Sequence, residues 1–310
     1  MNTLHGYLAF PTYLEELKRE LKLAGYKPKK MEVHGDLVLI DGPRKKPVWA
    51  RNIWSSVERI HFDSVSEASK RLKALGLRWA LLPHLHHRRA KLIAQDLRLA
   101  HAKPFRFPID PLPLKPIGSF TLLAPDELLA SAHCAQTVPN GEIAFQEDKD
   151  FPPTRAYLKL WEAFTRLGKM PKPGDSCIDL GSSPGGWTWA LAKLGAKVIS
   201  VDRSEITATI NSMPGVQFIQ GNAFTIDPAQ FERMDWICSD VICEPAKLLA
   251  LVQRWLLLHA EANFLCSVKF KGETDYKTLH AFSRIPGSTI IHLNHNKHEV
   301  TWVRLKPESS

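Results

Sequence analysis

The sequence predicts an α/β chain whose second part, residues 134–310, is a doubly wound and mostly parallel sheet, with a smaller α+β module ahead of it. Three observations lead there. From Cys177 onward short apolar runs alternate with helical segments, as expected of buried strands covered by helices on both faces. A glycine-rich turn, Gly181-Ser-Ser-Pro184-Gly185-Gly186, follows the first of these runs, and in such sheets ligands lie beyond the carboxyl ends of the strands. The formal net charge of +9 is confined to the first part: residues 1–133 hold 22 Lys and Arg against 13 Asp and Glu, whereas residues 134–310 hold 19 of each.

Composition narrows the class. A chain of 310 residues suits two domains of ordinary size. With 44% hydrophobic and 24% charged residues it reads as globular, and no apolar run approaches the roughly 20 residues of a membrane span. The start, MNTLHGYLAFPTY, has no charged region followed by a long apolar stretch, so the chain is expected to stay in the cytoplasm. Five cysteines without a CxxC pair fit reduced thiols better than disulfides or structural zinc. His84, His86 and His87 lack neighbouring carboxylates or cysteines and read as a solvated basic loop, with no metal site expected.

The elements follow in order. Gly6 to Phe10 reads as a strand, and Leu14, Leu17 and Leu21 repeat at helical spacing between Pro11 and Gly25. MEVHGDLVLIDG reads as two strands about a turn at Gly35. Val48 to Phe62 reads as one β-like stretch, Ser64 to Leu75 as a helix stopped by Gly76, and Leu77 to Leu82 as a strand. The order β-α-β-β-β-α-β suggests a ferredoxin-like α+β domain over residues 1–100. KPFRFPIDPLPLKPIG is too rich in proline for a regular element and makes residues 101–133 a connector. SFTLLAP and NGEIAF flank a helix-like segment and are expected to pair as strands. Then come CIDL, KVISV, VQFI, WICSD, NFLCSV, TIIHL and EVTWV, seven runs for one sheet.

The turn after CIDL is unlike a dinucleotide loop. Its spacing is G-x-x-x-G-G, not the G-x-G-x-x-G that seats a pyrophosphate, and Asp179 just before it would repel phosphate. A ligand with a cationic part and no phosphate suits it. Glycines permit positive φ and close backbone approach, and Pro184 stiffens the loop. Asp202 ends the second run, where a carboxylate can accept both hydroxyls of a ribose, and Asn222 follows the third, within reach of an adenine edge.

DLGSSPGGW, Asp179 to Trp187, resembles motif I of the FtsJ-type ribose 2′-O-methyltransferases. The resemblance implies a Rossmann-like class I fold with S-adenosyl-L-methionine as cofactor, held by Asp179, Gly181, Ser183, Pro184, Gly185, Gly186, Trp187, Asp202, Asn222 and Asp240. Transfer to a ribose hydroxyl also needs a base, and a lysine serves only when neutral. Four segments are similar to those that carry the family's Lys-Asp-Lys-Glu tetrad: TRAYLKLWEAF supplies Lys159, SDVICEP Asp240, SVKFKGETDY Lys269 and HEVTWV Glu299. The resemblance implies Lys269 as general base, Lys159 easing its deprotonation and positioning the hydroxyl, Asp240 near the sulfonium, and Glu299 orienting the lysines.

Two other readings stand beside this one. RNA cytosine-5 methyltransferases attack the base through cysteines in D-x-P-C and T-C-S motifs, and Asp240-Val-Ile-Cys243 and Leu265-Cys266-Ser267 resemble these, with Ile242 where that family has proline. A non-catalytic RNA-binding or ribosome-assembly protein could keep the same fold. Within the FtsJ type, PPTRAYLKLWEAF, CEPAKLLALVQRWL and the basic N-terminal extension resemble the bacterial enzymes that methylate a cytidine ribose of large-subunit ribosomal RNA. That implies 23S-type rRNA or a pre-50S particle as partner. Basic runs Lys27, Lys29, Lys30 and Arg44, Lys45, Lys46 fit a polyanion.

Overall fold

In the computed structural model, which describes residues 3–100 and 103–306, the chain divides into two units with the boundary between Gln146 and Glu147. The first unit opens with β1 (Leu4–Ala9), followed by α1 (Leu14–Leu23), which buries Leu17 and Leu21, one turn apart. The hairpin β2 (Met31–His34) and β3 (Leu37–Asp41) turns through Gly35 at φ 58°. β4 (Ala50–Ser55) pairs antiparallel with β1. The expected single stretch from Val48 to Phe62 is broken at Ser56, whose φ of 55° turns the chain out of the first sheet. β5 (Glu58–His61) therefore belongs to a second sheet. Next come α2 (Val65–Leu75), capped by Ser64, whose hydroxyl accepts the Glu67 N–H at 3.2 Å, then β6 (Trp79–Leu81) and α3 (His87–Gln95).

The unit closes with β7 (Gly118–Ala124), β8 (Glu127–Ser131) and β9 (His133–Cys134). The two sheets run β2-β3-β1-β4-β9 and β5-β8-β7-β6. The first has the strand order of a ferredoxin-like sheet but not its second helix, because α2 packs on the second sheet through Ala68 and Leu72, beside Phe62, Trp79 and Phe120. The single ferredoxin-like sheet is thus replaced by two. The connector is shorter than expected as well, since β7 and β8 complete the second sheet and the boundary falls after Gln146 rather than at residue 133. The helix-like segment after SFTLLAP is strand β8, its Leu128, Leu129 and Ala130 all buried. Of the histidine patch, His84 and His86 lie in the loop before α3, as expected, and only His87 enters the helix.

The second unit begins with α4 (Tyr157–Leu167), buried along Tyr157 to Phe164. There follow β10 (Ser176–Leu180), α5 (Gly186–Lys193), β11 (Lys197–Asp202), the short α6 (Ala208–Asn211), β12 (Val216–Gln220), β13 (Trp236–Ser239), α7 (Pro245–Leu258), β14 (Asn263–Lys269), α8 (Tyr276–Ser283), β15 (Ser288–Ile291) and β16 (Glu299–Arg304). All seven expected strands form one sheet, ordered β12-β11-β10-β13-β14-β16-β15. The first five are parallel, and β16 runs antiparallel between β14 and β15. The strand order reverses beside β10, so the turn after β10 opens at the topological switch point. No helix among the described residues is long and apolar enough to cross a membrane.

Candidate active site

The turn between β10 and α5 is shaped by what presses on it. Gly181 has φ 82°, and a Cβ there would lie 2.8 Å from Val241 Cβ in the loop after β13. A Cβ on Gly186 would lie 2.7 Å from Thr154 Oγ1. These approaches leave a cavity of about 400 Å³ lined by Asp179, Gly181, Ser183, Pro184, Trp187 and Asp202, with Gly186, Asp240 and Lys269 also on its wall. Gly185 does not line it. It caps α5 with φ 111°, and a Cβ there would meet Ile210. Asn222 lines an adjoining hollow of about 240 Å³, which shares Gly181 and Asp202 with the first.

The acids differ in what they hold. Asp202 is committed through both oxygens, Oδ2 accepting from Ser183 N at 3.0 Å and Oδ1 from Ser204 N at 2.9 Å, which fixes the carboxylate against the cavity while leaving each oxygen a second lone pair. Asn222 Oδ1 accepts Phe224 N at 3.1 Å, an Asx turn that fixes its side chain. Asp179 is fully buried; Oδ2 accepts Thr188 Oγ1 at 2.8 Å, while Oδ1 has no hydrogen-bond partner among the described residues. Burial, with added repulsion from Asp240 and Asp202, pushes its carboxyl up to about 7. An orphaned acid oxygen of this kind on a cavity wall fits a ligand with a cationic part. The donor set therefore fits S-adenosylmethionine, a nucleoside with a cationic arm.

The four tetrad positions converge. Lys159 Nζ lies 2.6 Å from Asp240 Oδ1 and 3.1 Å from Glu299 Oε1, and Lys269 Nζ lies 3.1 Å from the same Asp240 oxygen while donating to the Asp240 carbonyl at 2.5 Å. The sheet does the assembling. α4 carries Lys159, the end of β13 leads into Asp240, and antiparallel pairing sets Glu299, first residue of β16, opposite Lys269, last residue of β14. Burial alone would raise the Asp240 carboxyl, but Lys159 and Lys269 outweigh it and hold the group below its ordinary value. Asp240 and Lys269 line both the first cavity and a second cavity of about 800 Å³, which Lys159 and Glu299 line as well. The lysines differ in access, with 21% of the Lys269 side chain exposed against 9% for Lys159. The Trp187 ring lies 5.9 Å from Lys159 Nζ, and its indole N–H donates to the Ala156 carbonyl at 2.9 Å.

A supporting ring of residues was not singled out from the sequence. Glu162, one turn beyond Lys159, has no exposed surface and accepts from Arg166 Nε, Asn294 N, Asn294 Nδ2 and His295 Nδ1 at 2.8 to 3.0 Å. Burial opposes its ionisation, yet His295, Arg166 and the Asn294 N–H pull it down to about 2. Asn296, on the same loop, donates to Glu299 Oε1 at 3.1 Å and accepts Leu293 N at 2.7 Å. The signal lay in the TRAYLKLWEAF segment itself, since Glu162 is the acid of its KLWE.

The cysteine reading fails on burial. Cys266 sits on β14, 1% exposed, between β13 and β16, and burial pushes its thiol far up. Cys243 reaches the larger cavity, but burial raises its thiol too, so neither is set up as a thiolate.

Comparison with known proteins agrees with this geometry. Residues 153–303 match the family model described as FtsJ-like methyltransferase. Over 144 residues the chain is 36% identical to the ribosomal RNA large subunit methyltransferase M of Halorhodospira halophila, a match covering 44% of this chain and 40% of that protein. With the protein of the same name from Laribacter hongkongensis it shares 29% over 175 residues, 51% of this chain and 49% of the other. The match spans less than half the length of these relatives. Among solved structures, the fibrillarin pre-rRNA processing protein of Methanococcus jannaschii aligns over 48% of this chain and 74% of its own at 17% identity, with a TM-score of 0.38 too low to carry weight. With motif I, the four converging charges and the family match falling on the same residues, the second unit is an FtsJ-like methyltransferase domain.

Proposed function

We propose that the chain is an S-adenosyl-L-methionine-dependent RNA ribose 2′-O-methyltransferase that acts in the cytoplasm on a cytidine of large-subunit ribosomal RNA, free or in a pre-50S particle. The observation that carries this is the bridging of two cavities by Asp240 and Lys269. S-adenosylmethionine supplies an electrophilic methyl group on a sulfonium. Asp179, Asp202 and Asn222 hold the nucleoside and its cationic arm on one side. On the other, Lys269 stands at the junction as the more accessible amine and takes the hydroxyl proton in its neutral form. Lys159, gripped by two carboxylates, positions the hydroxyl, and Glu299 orients Lys159. Asp240 balances the positive charge where it concentrates. The likeness to ribosomal RNA large subunit methyltransferase M supports rRNA as the substrate.

The test is mass-spectrometric mapping of ribose methylation in ribosomal RNA from cells with and without the gene, complemented with wild type or Lys269→Ala. Wild type restores one 2′-O-methyl nucleotide, and the purified variant binds cofactor normally while losing about 10²- to 10⁴-fold in kcat. Full transfer by Lys269→Ala would falsify the assignment of the base.

A further inference from the structure

Ile242, two residues beyond Asp240, is a large apolar side chain left 76% exposed. A single exposed isoleucine means little by itself. Its place is what matters, because Ile242 lines the cofactor cavity, the adjoining hollow and the larger cavity together. In the larger cavity it joins Leu158 and Phe270 as apolar wall, with Arg155, Lys271 and Lys297 also lining it. Lys271 meets only Glu244, at 3.9 Å and with both side chains exposed, so that pair is weak and leaves the amine open to a phosphate, whereas Arg155 is held by Glu147 through two bonds of 2.7 and 2.9 Å. An apolar wall with cations is the combination that holds a nucleotide by base face and backbone.

Reading a base needs hydrogen-bonding groups aimed at its edge. The amide and imidazole side chains on this wall, Asn294, His295 and His298, are turned to other work: Asn294 Nδ2 and His295 Nδ1 both donate to Glu162 at 2.8 Å, and His298 Nε2 lies 3.3 Å from Thr274 Oγ1. We propose that this cavity takes the acceptor nucleotide by its phosphates and one face of its base, with Ile242 as the positioning residue under that base, and does not distinguish which base it is. This rests on the RNA reading above. Selection of the site then falls to RNA contacts and RNA shape outside the cavity.

The test uses the full chain and four transcripts of the methylated rRNA region that differ only in the base at the mapped nucleotide. The expected result is a kcat/KM within about fivefold across the four, since no hydrogen-bonded readout is lost. A preference beyond about hundredfold for one base overturns the inference while leaving the RNA reading intact. A chain that binds S-adenosylmethionine yet methylates none of the four overturns both. Because Ile242 is exposed, its replacement removes little core packing. Ile242→Ala should raise the KM for RNA about tenfold, at least about fivefold more than it weakens cofactor binding, and Ile242→Leu should restore it. An unmoved KM for RNA overturns the positioning role.

Discussion

Asp179 shows most directly how one residue ties the proposed cofactor site to the fold. Burial first, with repulsion from Asp240 and Asp202, pushes its carboxyl up to about 7. The unfolded chain gives up that proton near the ordinary carboxylate value, so between about pH 4 and pH 7 the folded state binds more protons, and stability falls as pH rises through that window. A cationic ligand favours the ionised carboxylate, so cofactor affinity should rise from pH 6 to pH 8. Asp179→Asn should flatten both profiles and lower affinity at pH 8, as calorimetric titration and thermal unfolding across pH will show. Asp179 and Asp202 stood out in the sequence because a turn motif and a strand end mark them, whereas Lys159, Asp240 and Lys269 were singled out only by likeness to the FtsJ-type segments. The spacing of glycines does not tell which one lines a cavity, as Gly181 and Gly186 do, and which packs on Ile206 and Ile210, as Gly185 does.

At the scale of elements, α4 and the loop before β16 act as one part. Glu162 on α4 gathers Arg166, Asn294 and His295, and the loop so held leads into Glu299. Its carboxyl, held at about 2, contributes stability that is present above about pH 4.5 and lost as pH falls through about 2. Glu162→Ala should therefore destabilise the second unit by about 3–5 kcal/mol at pH 7, by leaving buried partners unmatched. Thermal denaturation should show the deficit shrinking toward pH 2, and kcat should fall while cofactor affinity is little changed. Periodicity could not announce this link, because 132 residues separate Glu162 from Asn294 and nothing local couples them. The same limit explains Ser56, where one residue of positive φ turned an apparently continuous β stretch into strands of two different sheets.

Over the whole molecule charge is divided unevenly, 22 basic against 14 acidic residues up to Gln146 and 19 against 18 from Glu147 onward. Within the first unit the basic runs at Lys27 to Lys30 and Arg44 to Lys46 are drawn together, because the Tyr26 hydroxyl donates to the Pro43 carbonyl and Lys45 N donates to the Tyr7 hydroxyl at 2.9 Å. If this patch meets RNA phosphates, replacing Lys29, Lys30, Lys45 and Lys46 with alanine in the full chain should weaken RNA binding and reduce the salt slope by about 0.9 per lost contact. Salt-dependent binding curves test this, with cofactor affinity as the unchanged control. By itself the sequence determined the seven strands of the sheet and the glycine-rich turn after the first of them, since apolar period and glycine spacing are local properties of a chain, while likeness to the FtsJ-type segments marked the four tetrad positions. Only the tertiary structure decided that Lys159 and Lys269 share one oxygen of Asp240, that Glu299 faces Lys269 across an antiparallel pair, and that two cavities meet there. Those are distances between residues up to 140 positions apart, and they exist only once the sheet has closed.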